Sequence, residues 1–273
     1  MGLPIVLAHG IARFDVWSGA LQGLVGEDDS VHYFRRIKTA LEREGHVVHH
    51  ATVPWAAAID QRAHELRREC ARILARSGAP ALNLICHSMG GLDARRMLWH
   101  SHLARDGFHR RIAGVATIGT PHLGTPFADA GLADLPGAIG FARALGLDLR
   151  GFADLTTRAC AAFNREAREF EKGSGVRFLT WAGSQAEART FAPLRGPWRL
   201  IAEHHGKNDG LVPVNSQLWR REYAQEHVEA DHLQQVGWWH LDGVFHERPA
   251  ALEARIQGMY RRIAARLPAA PCS

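Results

Sequence analysis

Ala81-Leu82-Asn83-Leu84-Ile85-Cys86-His87-Ser88-Met89-Gly90-Gly91 is the stretch on which the reading of this chain turns. The apolar run from Ala81 to Ile85 reads as a core strand, and a helical pattern follows from Leu92 to His100. Ser88 therefore stands on an abrupt strand-to-helix turn, the setting that exposes a nucleophilic side chain. Such a turn brings the positions two before and two after the serine close together, so both must be small. Cys86 and Gly90 meet that demand, with cysteine in place of the usual glycine; its thiol is little larger than a methyl group, and the expectation is a packing accommodation. A serine hydroxyl is a poor nucleophile alone and needs a base beside it and donors for the developing negative charge. Short small-x-Ser-x-small patterns recur by chance, so the rest of the chain must supply those partners.

Outward from the turn, strand-like runs recur at Pro4 to Ala8, His46 to Val53, Ala81 to Cys86, Ile112 to Ile118 and Val176 to Trp181. Helical patterns lie between and after them, at Phe34 to Arg43, Ala58 to Ala75, Leu92 to His100 and Ala251 to Leu267. In the second, Ile59, Ala63, Leu66, Cys70, Ile73 and Leu74 recur at the spacing of one buried face. Alternating strands and helices predict an α/β architecture with a mostly parallel sheet covered on both sides. The 273 residues fit one domain, 1-273. Residues from about 122 to 174 break the rhythm with repeated glycines between apolar pieces. They read as a helical cap or lid insertion, either fixed on the core or mobile over the site.

For the oxyanion hole, one backbone donor is the N–H after the nucleophile, Met89. The other comes from the loop after the first strand, Leu7-Ala8-His9-Gly10-Ile11, where Ile11 is the candidate. His9 reads as a loop-shaping residue. For the acid, Asn208-Asp209-Gly210-Leu211-Val212 presents Asp209 in a polar turn expected to lead out of a strand; the bland reading is an Asp-Gly turn former. Asp93 is a weaker rival, because it lies on the helix just after Ser88. The chain order serine, acid, histidine leaves His227, His232, His240 and His246 as bases among 17 histidines. His232 is favoured for its loop-like setting, His227 next.

Hydrophobic residues make up 46% and charged residues 22%, and no apolar stretch is long enough to span a bilayer. The net charge of +5 comes from basic pairs scattered among acidic residues, unlike the clustered face of a nucleic-acid binder, so no nucleic acid is expected as partner. That charge leaves room for weak attraction to anionic lipid and transient contact with a lipid interface. Cys70, Cys86, Cys160 and Cys272 show no metal-type pairing, and a disulfide is not implied. No signal segment opens the sequence, so the expectation is a cytoplasmic protein or a secreted form whose leader is gone.

Taken together, Pro4 to Ile11, Phe14-Asp15, Tyr33-Phe34, the Ser88 turn, Thr117-Ile118-Gly119-Thr120-Pro121-His122-Leu123-Gly124-Thr125, Leu155-Thr156-Thr157, Phe163-Asn164 and Asn208 to Val212 resemble the bacterial true-lipase family of α/β-hydrolases. The resemblance runs from the first strand to His232. It implies the α/β-hydrolase fold, carboxylic-ester hydrolysis with no cofactor, a small-molecule or lipid ester as substrate, and Ser88, Asp209 and His232 as a catalytic triad. Short-chain or polyester esterase activity is the alternative within that class, and a catalytically silent binding protein the alternative outside it. Many of these lipases hold a structural calcium through an aspartate two residues after the catalytic histidine and another ahead of the catalytic aspartate. Here the first position is Gln234, and no aspartate occurs from Gly183 to Asn208, so no calcium site of that type is expected.

Overall fold

Strands β1 (Ile5–Ala8), β2 (Val48–His50), β3 (Leu82–His87), β4 (Ile112–Ile118), β5 (Arg177–Ser184) and β6 (Ala224–Glu229) form one sheet in the order β2-β1-β3-β4-β5-β6. Every pairing is parallel. The computed structural model describes residues 2–11, 29–54, 57–132, 149–238 and 248–270. Helices α1 (Ile37–Glu42), α2 (Ile59–Ser77), α3 (Met89–Ala104), α4 (Pro126–Leu132), α5 (Leu149–Ala153), α6 (Thr157–Gly173), α7 (Arg195–His205), α8 (Val214–Leu218) and α9 (Pro249–Arg266) connect and cover the strands.

The alternation of side chains along each strand sorts the core into two layers. Ile5, Leu7, Ile85, Ile118 and Trp181 face α1 and α9, whose Ile37, Leu41, Ile256, Tyr260 and Ile263 are buried against them. Val6, Ala8, Leu84, Cys86 and Val115 face α2 and α3. Because both faces are covered, these strands are apolar throughout, which is why they were legible as continuous runs. A third apolar cluster joins Ile11, Met89 and Leu92 to Phe127 of α4, Phe152 of α5 and Leu155 and Cys160. It ties the described parts of the expected 122-174 insertion to the neighbourhood of Ser88.

Several expectations need correction. The second strand is shorter than His46 to Val53, and α1 starts at Ile37, after Arg36 in the left-handed region at φ 55. Helix α3 begins at Met89, directly behind the serine, and not at Leu92. The strand β6 was not anticipated. Residues 133–148 of the expected insertion, Phe14-Asp15, Cys272, His240 and His246 lie outside the described residues. Cys70, Cys86 and Cys160 are free, buried thiols, and no described helix is long and apolar enough to cross a membrane.

Candidate active site

Ser88 joins β3 to α3 with φ 55 and ψ −131, a conformation that a residue with a Cβ adopts only when its surroundings impose it. The imposition is visible. Ser88 N–H donates to Ile118 O of β4 at 3.0 Å, and Ser88 O accepts from Thr120 Oγ1 at 2.8 Å and Gly91 N at 3.1 Å. A Cβ on Gly90 would meet Ala8 O at 2.4 Å and His9 O at 2.8 Å, so the end of β1 lies directly against the start of α3. Cys86 is buried in the α2–α3 layer, where burial pushes its thiol well above its ordinary pKa.

The loop after β1 passes beside the serine: a Cβ on Gly10 would stand 2.8 Å from Ser88 Cβ and 3.2 Å from its Oγ. Among the described residues, neither Ile11 N–H nor Met89 N–H donates to another protein group. For Met89 the reason is general, since the first N–H groups of a helix lack an acceptor within it. His9 turns its Nδ1 to Gly10 O at 2.8 Å, the loop-shaping contact expected of it. Behind the loop, the fully buried guanidinium of Arg62 from α2 donates to His9 O at 2.8 Å, Gly10 O at 3.2 Å and Pro54 O at 2.7 Å. Its charge is matched by Asp93 at 2.7 Å. Asp93 is thereby committed to Arg62, and burial raises its carboxyl to about 6 against the pull of that arginine.

Asp209 is buried at a turn closed by the antiparallel bridge between Asn208 and Pro213. That turn follows α7 and not a strand, so the expected local setting was wrong. Four donors reach its carboxylate. Leu211 N at 3.0 Å and Val212 N at 2.8 Å serve Oδ1; His232 Nδ1 at 2.8 Å and Gln235 Nε2 at 2.9 Å serve Oδ2. Because an ionised carboxylate only accepts, this contact places a proton on His232 Nδ1 and leaves Nε2 outside the pair. The backbone repeats the pairing, with His232 N donating to Asp209 O at 2.8 Å.

His227 is excluded from this pair by its position. It lies on β6 with Nε2 2.9 Å from Ser184 Oγ. The ring of His232 lies 4.5 Å, centroid to centroid, from that of His87, the residue preceding Ser88. Ser88 and His232 thus share one rim of the sheet, although among the described residues no hydrogen bond joins Ser88 Oγ to the imidazole. His87 accepts or donates through Nδ1 to Tyr33 Oη at 2.7 Å. Burial holds its imidazole well below the usual range, and the neighbouring His232 pushes the same way.

No protein-family model matches the chain. Triacylglycerol lipase 2 of Saccharomyces cerevisiae is 30% identical to it over 86% of this chain and 80% of that protein. The chain belongs to the triacylglycerol lipase family. A triacylglycerol lipase of Vibrio cholerae is 28% identical over 83% of this chain and 78% of its own length. The fold agrees: the mature Bacillus licheniformis lipase superposes with a TM-score of 0.64 at 19% identity, over 85% of each chain. A metagenomic carboxyl esterase superposes with a TM-score of 0.65 at 20% identity, over 96% of this chain and 76% of that one. The protein is a lipase-family α/β-hydrolase and a carboxylic ester hydrolase.

Within this lipase fold, Gln234 occupies the position two residues after His232. Its Oε1 accepts from Asp231 N at 2.9 Å and Gln185 Nε2 at 3.4 Å. Asp231 accepts from Leu233 N, Gln234 N and Phe191 N, and burial raises its carboxyl to about 6. Among the described residues no group of three or more His, Cys, Asp or Glu side chains is placed to hold a metal ion. Sequence reasoning missed Arg62, Thr120 and Gln235. Arg62 carried a usable signal, a cation on the buried stripe of α2 between Ile59 and Leu66; Thr120 stood within the Gly119-Thr120-Pro121-His122 stretch of the resemblance but was given no role, and Gln235 carried no signal.

Proposed function

We propose that this lipase-family chain hydrolyses lipid esters through an acyl-enzyme on Ser88. Ser88 Oγ attacks the ester carbonyl carbon while His232 Nε2 takes the hydroxyl proton. Asp209 holds the imidazole and stabilises its positive charge. The N–H groups of Ile11 and Met89 stabilise the tetrahedral oxyanion. As that intermediate collapses, the alcohol leaves with the proton from His232. Water then repeats the sequence on the acyl carbon, with the same histidine as base, and frees the acid and Ser88.

The observation that carries the reading is the Asp209–His232 hydrogen bond at the rim that also holds the strained serine. The buried cluster of Ile11, Met89, Leu92, Phe127 and Phe152 packs the neighbourhood of the serine turn firmly in place. The test is hydrolysis of short and long p-nitrophenyl esters, with and without an oil interface, by wild type, Ser88→Ala, His232→Ala and His227→Ala. Ser88→Ala and His232→Ala should lose at least 10³-fold in kcat, on the order seen when such a constellation is broken. His227→Ala should keep turnover; its loss there would overturn the base assignment. A rate indifferent to the interface and falling with chain length would favour a short-chain esterase.

A further inference from the structure

Gln235 lies three residues after His232, in the 3-10 turn Gln234–Val236, and is fully buried. Its Nε2 shares Asp209 Oδ2 with His232 Nδ1, at 2.9 and 2.8 Å. The atom facing a carboxylate must be the amide nitrogen, so Oε1 points the other way. The amide fits between two strand ends because side chains are missing there. A Cβ on Gly183 of β5 would stand 2.4 Å from Nε2, and one on Gly119, just past β4, would stand 2.5 Å from Oε1. The backbone of Gln235 is fixed separately, its N–H donating to Asp231 O at 3.1 Å and its carbonyl accepting from Tyr260 Oη at 3.1 Å. Two glycines and a helix thus hold one neutral amide against the acid.

We infer that Gln235 is a positioning residue for Asp209, a charge-neutral donor that pins Oδ2 so that the carboxylate keeps one orientation toward His232 as the imidazole gains charge. This rests on the reading of Asp209 and His232 as the acid and base. An amide suits the place because it donates at every pH, whereas a carboxyl group there would compete for a proton. The titratable groups around it are His87 from β3, whose Nε2 lies 3.3 Å from the Gly119 Cβ position, Asp231 and His232 from the loop after β6, Tyr260 from α9, and Tyr33 through its bond to His87.

The experiment compares kcat and KM on a short soluble ester, from about pH 5 to 9, for wild type, Gln235→Leu, Gln235→Glu and Gly183→Ala. Ser88→Ala is the blank, and active sites are counted by fluorophosphonate titration. Gln235→Leu should lower kcat about tenfold with KM unchanged, the pattern of lost transition-state stabilisation. Gly183→Ala should reproduce that loss by displacing the amide. Gln235→Glu, the same length, sets a second carboxyl against Asp209 and should move the acid limb of kcat/KM upward by about one pH unit. If per-site kcat and the acid limb match wild type while only thermal stability falls, Gln235 is structural and the inference is wrong. Should Gln235→Leu not fold, Gln235→Glu decides by the same criterion. A wild type without esterase activity, or an active Ser88→Ala, would sink the catalytic reading itself and this role with it.

Discussion

Ser88 keeps a backbone conformation that costs on the order of 1–3 kcal/mol, and the strain persists because β4, Thr120 and the end of β1 hold it from three sides. Gly90 is the residue that lets β1 come so close. Gly90→Ala would drive a methyl group into the Ala8 carbonyl, and backbone cannot yield as a side-chain tip can. The expected result is a loss of about 1–3 kcal/mol in urea unfolding, with esterase activity falling further than the folded fraction. Retention of full activity would mean that the elbow does not depend on this contact. At this scale the sequence was informative wherever a shape demanded a residue type: Cys86, Ser88 and Gly90 are legible because the turn excludes bulk. Gln235 was illegible, because a glutamine in a loop looks the same whether it faces water or a buried carboxylate.

Elements were legible in proportion to their burial. β1, β3, β4 and β5 lie inside the sheet, and their apolar runs fell close to the observed bounds. β6, Ala224-Gln225-Glu226-His227-Val228-Glu229, is one of the two edge strands, and its half-exposed polar side chains carry no such signature. The docking of α6 onto α3 was equally hidden, because it rests on charge. Arg95 is fully buried, bonded to Glu171 at 2.7 Å and Asn164 at 2.6 Å, and lies 3.7 Å from the Trp219 ring centroid. Arg220 adds a second cation on Glu171 at 3.1 Å. Glu171→Ala leaves Arg95 buried without its counter-charge and should cost about 3–5 kcal/mol, read as a lowered denaturant midpoint. A shift under 1 kcal/mol would show that the apolar packing of α6, and not this network, anchors it on α3.

Over the whole molecule, four buried groups give stability a two-part dependence on pH. His87 and His122 are held well below the ordinary 6.5 mainly by burial, so below that value the unfolded chain binds protons that the folded one refuses. Their effect is a loss of stability as pH falls through 6.5. Asp93 and Asp231, raised from 3.8 to about 6, bind more protons folded than unfolded between those values, and so offset part of the loss there. Urea midpoints should drop from pH 7 toward 6 and decline less steeply from 6 toward 4. His87→Phe should flatten the first segment; an unchanged slope would show that His87 does not stay neutral in the fold.

The sequence by itself determined the alternating α/β plan and the strand-to-helix serine, because each is written in local spacing and in steric demands on neighbouring residues; the class of chemistry was implied by the resemblance of its motifs to a lipase family. Only the tertiary structure separated His232 from His227, committed Asp93 to Arg62, and set Gln235 and Asp209 together in one slot. Those outcomes depend on how strand register and loop closure bring distant segments into contact, and hydrogen-bond geometry between such segments leaves no periodic trace in the chain.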